Sequence, residues 1–111
     1  MKILNSKSIP FEKALHGPYL KQVFIGKNEV PSLGVFGKVV MKPGEMASDH
    51  GHDGKSEIYL VEKGKGKLIF NKSVEKEILV GDIVITNADE THELSNPFNG
   101  DLELLFLEVK S

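Results

Sequence analysis

Neither cysteine nor arginine occurs in the 111 residues. Without cysteine there is no disulfide framework and no thiolate metal site. Without arginine there is no planar fork to clamp a phosphate or carboxylate through paired hydrogen bonds, so lysine is the permanent cation available and a phosphosugar substrate is disfavoured. A run of about 18 apolar residues is also missing, which predicts no transmembrane helix and no membrane partner. The first 15 residues are broken by polar side chains and Pro10. They lack the apolar h-region of a secretory signal, which predicts a cytoplasmic protein. Charges of both signs are interspersed, with a formal net charge of −2. No basic stripe marks a nucleic-acid binder.

What is present is a chain sized for one domain, 40% apolar. Such a domain buries about two-thirds of its unfolded surface. Strand signals dominate. Short strands are predicted at Met1 to Leu4, Leu20 to Ile25, Leu33 to Met41, a segment carrying the first histidine pair, Glu57 to Val61, Lys67 to Asn71, Val74 to Val80, Ile83 to Ile85 and Leu102 to Val109. Turn residues punctuate them at Lys27 to Ser32, Pro43-Gly44, Asp53 to Ser56, Gly64 to Gly66, Asn71 to Ser73, Gly81-Asp82 and Asn96 to Gly100. Phe11 to Leu15 reads as one helical turn, and Asn87 to Thr91 as a loop. Eight or nine short strands with a turn every eight to twelve residues predict an antiparallel sandwich or barrel. Residues 20–109 form the barrel, and residues 1–19 an opening strand and loop.

The densest chemistry lies between Gly44 and Gly64. His50 and His52 stand one residue apart, and on an extended chain such side chains share a face. A turn after Asp53 returns the chain so that Glu57 lies beside them. Two imidazoles and a carboxylate are a first-row transition-metal ligand set, and His92 is a fourth candidate. If Glu57 points inward, Tyr59 and Val61 do too, while Ile58 and Leu60 point outward. The closing strand is apolar on both faces: Leu102, Leu104 and Phe106 on one, Leu105, Leu107 and Val109 on the other. Strands of this kind need cover on both sides, which predicts a homodimer.

The intervals resemble the cupin family. Its first motif is Gly, five residues, His, one, His, three or four, Glu, six, Gly, and Gly44, His50, His52, Glu57 and Gly64 meet it without a gap. Its second is Gly, five residues, Pro, one, Gly, two, His, three, Asn. Gly81, His92 and Asn96 fit, while Asn87 and Asp89 stand where proline and glycine are usual. The resemblance implies an all-β, double-stranded β-helix (jelly-roll barrel) in a single domain over residues 1–111. It implies one divalent metal (Fe, Mn, Ni, Cu or Zn) on His50, His52, Glu57 and His92. Cupins also commonly pair through one sheet.

Four protein ligands on an octahedral ion leave two positions for water, oxygen or a chelating molecule. The expected function is therefore a metal-dependent enzyme on a small organic molecule, dioxygenase-like or sugar isomerase-like. The alternative is a non-catalytic module that binds a metal or small molecule. With Glu57 a metal ligand, a general base would come from Tyr59, His16, metal-bound hydroxide or the substrate. Tyr59 reads first as a packed core residue and, more boldly, as a hydrogen-bond donor to a ligand. His16, before Gly17-Pro18, reads as a surface loop residue. Asn96 suits backbone groups of the following turn, and Met41 and Met46 suit core packing.

Overall fold

The computed structural model describes residues 1–15, 17–50 and 55–110, with Asp49 and His50 described by backbone alone. The strands are β1 (Glu12–Lys13), β2 (Leu20–Ile25), β3 (Leu33–Met41), β4 (Met46–His50), β5 (Lys55–Lys63), β6 (Lys65–Phe70), β7 (Val74–Leu79), β8 (Ile83–Thr86), β9 (His92–Ser95) and β10 (Leu102–Lys110). One turn of 3-10 helix at Ser6–Ser8 precedes them. They form a six-stranded sheet in the order β1-β2-β3-β10-β5-β8 and a four-stranded sheet in the order β4-β9-β6-β7. Each paired strand is antiparallel to its neighbours. This is the all-β, two-sheet architecture that the turn spacing predicts.

Period-two alternation decides what goes inside. In the larger sheet Val39, Leu104 and Val61 stand side by side across β3, β10 and β5, with Gly37, Phe106, Tyr59 and Val84 in the neighbouring row. From the smaller sheet Ala47, Leu94 and Leu68 form a matching row. Both sets belong to one buried core. The outward face of β8, β5 and β10 is apolar as well: Ile83, Leu60 and Leu105 form one row across it, and Ile85, Ile58 and Leu107 the next. Ile83 and Ile85 are about two-thirds exposed, at 66% and 64%.

Several local expectations are corrected. Met1 to Leu4 is not a strand: the segment joins no ladder among the described residues, and Met1 and Ile3 lie in solvent. Phe11 to Leu15 makes no helical turn. Glu12 and Lys13 pair instead with Lys21 and Leu20, and the Ala14 amide donates to the Tyr19 carbonyl at 3.0 Å. A single turn fixes several dihedrals for one hydrogen bond, so a waiting sheet edge wins. Lys55 and Ser56 are strand rather than turn, since β10 extends far enough to pair with them. Lys65 and Gly66 likewise pair with Leu79 and Ile78. Gly64 alone makes the switch between sheets, at φ +75°, where a Cβ would collide with the Asp101 carbonyl. His92–Ser95 forms an unforeseen strand, and Met46 is exposed rather than core while Met41 is fully buried.

Asn96 ends β9 and is fully buried. Its Nδ2 donates to the Met41 carbonyl at 2.9 Å and the Gly100 carbonyl at 2.8 Å, and its Oδ1 accepts from the Phe98 amide at 3.1 Å. It thereby ties the strand carrying His92 to the end of β3 and to its own following turn. Replacing Asn96 with alanine removes three hydrogen bonds from a buried position and should cost about 3 kcal/mol of stability. Denaturant unfolding should show the midpoint falling at constant slope; a change under about 0.5 kcal/mol would contradict this role.

Candidate metal centre

The side chain of Glu57 enters the core from β5, and that of His92 from β9 in the opposite sheet. Both follow from alternation: Glu57, Tyr59 and Val61 are buried along β5, and His92 and Leu94 along β9. Glu57 is 4% exposed and His92 1%. His92 Nε2 lies 3.3 Å from Glu57 Oε1. The Tyr59 hydroxyl bridges them, donating to Glu57 Oε1 and standing 2.8 Å from His92 Nε2. A phenol has one proton, so in the metal-free site, with that proton directed to Glu57, its oxygen accepts from an Nε2–H of His92; a metal bound at Nε2 would displace that proton.

Of the expected ligands, Glu57 and His92 are thus brought together. His50 is placed by its backbone: it ends β4 and stands directly across from His92 in the ladder. The His50 side chain, His52 and the remaining turn residues Asp53 and Gly54 lie outside the described residues, as does His16. Among the described residues no group of three or more donors gathers at one point. The two in place fit a metal. Two donors each about 2.1 Å from a shared ion stand about 3.0 Å apart at a right angle and about 3.4 Å apart at the tetrahedral angle. The separation of 3.3 Å between Glu57 and His92 falls within that interval.

The surroundings hold more acid groups than the motif suggests. Glu108 lies across from Glu57 in the ladder, is 8% exposed, and pairs with Lys55 at 3.6 Å. Burial, and then the charge of Glu57, pushes the Tyr19 phenol up to about 12. The same two causes hold Tyr59 well above the ordinary phenol value of 10.0. Tyr59 is therefore a proton holder, not a ready base. These groups line a cavity of about 70 Å³ with Lys21, Val39, Met41, Leu94 and Phe106. Tyr19, Lys21 and Glu108 are site residues that motif spacing did not reveal. Glu108 had a legible signal, since it shares the otherwise apolar face of Leu102, Leu104 and Phe106.

The model of the cupin domain matches residues 37–108. The chain belongs to the cupin family. A curated relative, the oxalate-binding protein of Thermotoga maritima, is 32% identical over 71 residues, which cover 64% of this chain and 58% of that protein. The match therefore spans less than two-thirds of that relative's length. Among solved structures, a predicted oxalate decarboxylase from Thermotoga maritima superposes with a TM-score of 0.90 at 25% identity, over 99% of this chain and 100% of that one. The polyketide cyclase RemF from Streptomyces resistomycificus superposes with a TM-score of 0.85 at 14% identity, over 98% of this chain and 79% of that one. This last likeness is one of fold alone.

This cupin has two tyrosines, and both line the cavity. Each phenol is neutral when protonated, and folding raises its pKa. The native state therefore holds these protons more tightly than the unfolded chain. For Tyr19 the linked stability is complete below about pH 10 and is lost as pH rises toward about 12; for Tyr59 it is lost in the same direction, as pH rises. An ultraviolet titration of the metal-free protein should show almost no phenolate near pH 10. About a quarter of the full signal appearing there, half of one ordinary phenol, would mean that one tyrosine is solvated.

Proposed function

We propose that this cupin binds one divalent transition metal through His50, His52, Glu57 and His92, and takes a small organic acid of the oxalate class beside it. The observation that carries the reading is the Glu57 carboxylate, buried to 4% and facing His92 at 3.3 Å. A second buried carboxylate, Glu108, stands across from it. A carboxylate is costly to bury without a cation or hydrogen bonds to compensate it. A divalent ion supplies that charge. When bound, it also acts as a Lewis acid toward a chelating carboxylate.

Size favours a small ligand. A cavity of about 70 Å³ is far below the roughly 300–1,000 Å³ of drug-sized pockets. It suits an acid of a few heavy atoms better than a sugar or a flavonol. The relative named as oxalate-binding supports the same class. Val39, Met41, Leu94 and Leu104 wall the cavity with apolar surface. That wall limits water and strengthens each polar contact inside.

Turnover is a second reading, and Tyr59 is the observation favouring it. Its phenol keeps a proton next to the ligand site. In a decarboxylation of hydrogen oxalate, the carbon–carbon bond breaks, carbon dioxide leaves, and the electron pair left on the other carbon takes a proton. Tyr59 would give that proton and recover one from solvent. The products are formate and carbon dioxide, with no external oxidant required.

Metal analysis of untagged protein should find about one ion per chain in the wild type. His52→Ala and His92→Ala should each weaken metal binding by more than the roughly 10–100-fold that loss of an outer-shell partner costs. Acidification should release the ion, since protons compete for its ligands. Equal metal in wild type and both variants would falsify the ligand assignment. Calorimetry with oxalate on the loaded protein tests the acid, and formate release separates catalyst from binder.

We further propose that two copies pair through the outward face of β8, β5 and β10. Ile83, Ile85 and Leu60 are exposed there beside Leu105 and Leu107. A contiguous apolar patch of this kind is a liability for a solitary chain. Light scattering after size exclusion should give a dimer mass for the wild type and a monomer for Leu60→Glu or Ile83→Glu. A monomeric wild type at high micromolar concentration rules the pairing out.

A further inference from the structure

Lys21 lies on β2 and lines the cavity with Glu57, Tyr59 and His92. It reaches the interior because it stands directly across from buried Val39, and cross-strand partners share a face. Its ammonium sits over the Phe106 ring, 4.9 Å from the centroid. Phe106 in turn lies across from Tyr59, the residue that bridges Glu57 and His92. Lys21 is the one cation in the described lining. Lys38 and Lys55, which are also half-buried, each pair with a glutamate, at 2.8 Å and 3.6 Å. Lys21 makes no ion pair among the described residues.

A half-buried ammonium held by an aromatic face, aimed into a cavity and lacking a carboxylate partner, is arranged to meet an anion from solution. With arginine absent from the chain, a lysine is the available group for this task. We propose that Lys21 is the anchor for the acid that fills the cavity, binding the carboxylate end that points away from Glu57 and His92. This rests on the reading of the site as a metal centre that takes a small acid. It adds that recognition is by charge as well as by chelation, so dianions such as oxalate and malonate are preferred over neutral chelators of the same size.

The test is calorimetry with oxalate and malonate on metal-loaded wild type, Lys21→Met and Lys21→Arg, with metal content and melting temperature measured on each. Methionine keeps the apolar stem and a favourable contact with the Phe106 ring. Lys21→Met should therefore retain wild-type metal and melting while losing about tenfold or more in oxalate affinity, the scale of one charge-assisted hydrogen bond. Lys21→Arg keeps the charge and should stay within about threefold of wild type. Unchanged oxalate affinity in Lys21→Met overturns the anchor and leaves the acid-binding reading standing. Loss of metal or melting temperature in parallel with affinity also overturns it, by showing that Lys21 acts through the fold. If loaded wild type binds neither acid, the acid-binding reading falls first and the anchor with it.

Discussion

A carboxylate in the middle of a β-sandwich constrains everything around it. Glu57 is nearly sealed from water, and a charge so placed must be met by hydrogen bonds or by a cation. Tyr59 and His92 answer with a phenol proton and an imidazole from opposite sheets. The two sheets are therefore joined by polar contact at this cluster and again at Asn96, with apolar packing between their inner faces. Leu102 and Met41 close the core as a fully buried cross-strand pair. The interior runs from hydrocarbon to a cluster of ionisable groups, and the cavity lies along that change.

The precision of the cluster depends on residues that carry no charge. Asn96 holds the end of β9 to β3 and so fixes the level at which His92 enters. Gly64 allows β5 to hand the chain directly to β6 in the other sheet, because only a residue without Cβ fits beside Asp101. Gly37 leaves room for the Phe106 ring, whose carbon atoms would otherwise crowd a side chain there. That ring then supports the Lys21 ammonium. Substituting such positions would disturb the site without touching it.

Much of this was legible in the sequence, for identifiable reasons. Leu20–Ile25 and Leu33–Met41 agree with expectation to the residue, since β-branched runs bounded by turn residues leave little latitude. The inward set of Glu57, Tyr59 and Val61 followed from alternation. Turn residues misled where tertiary pairing decided. Lys55, Ser56, Lys65 and Gly66 look like turn formers, yet each meets a partner strand. Spacing pointed to Glu57 and His92 because their family motif is local. It was silent on Lys21 and Tyr19, whose place in the cavity depends on which strands become neighbours.

The position of β10 has a consequence for how the molecule is made. It is the last of these strands in chain order, yet it lies between β3 and β5 in the larger sheet. Until it is synthesised, β3 and β5 have no common partner, and the inner rows built on Val39 and Val61 stay open. Closing them requires contacts between segments far apart in sequence, which slows folding. The centre of the larger sheet therefore stays open until the last strand arrives, although β2 with β3, β5 with β8 and the smaller sheet can pair before it. When it arrives, Glu103 of β10 meets Lys63 of β5 at 3.6 Å across the ladder, an opposite-charge pair that favours the correct register.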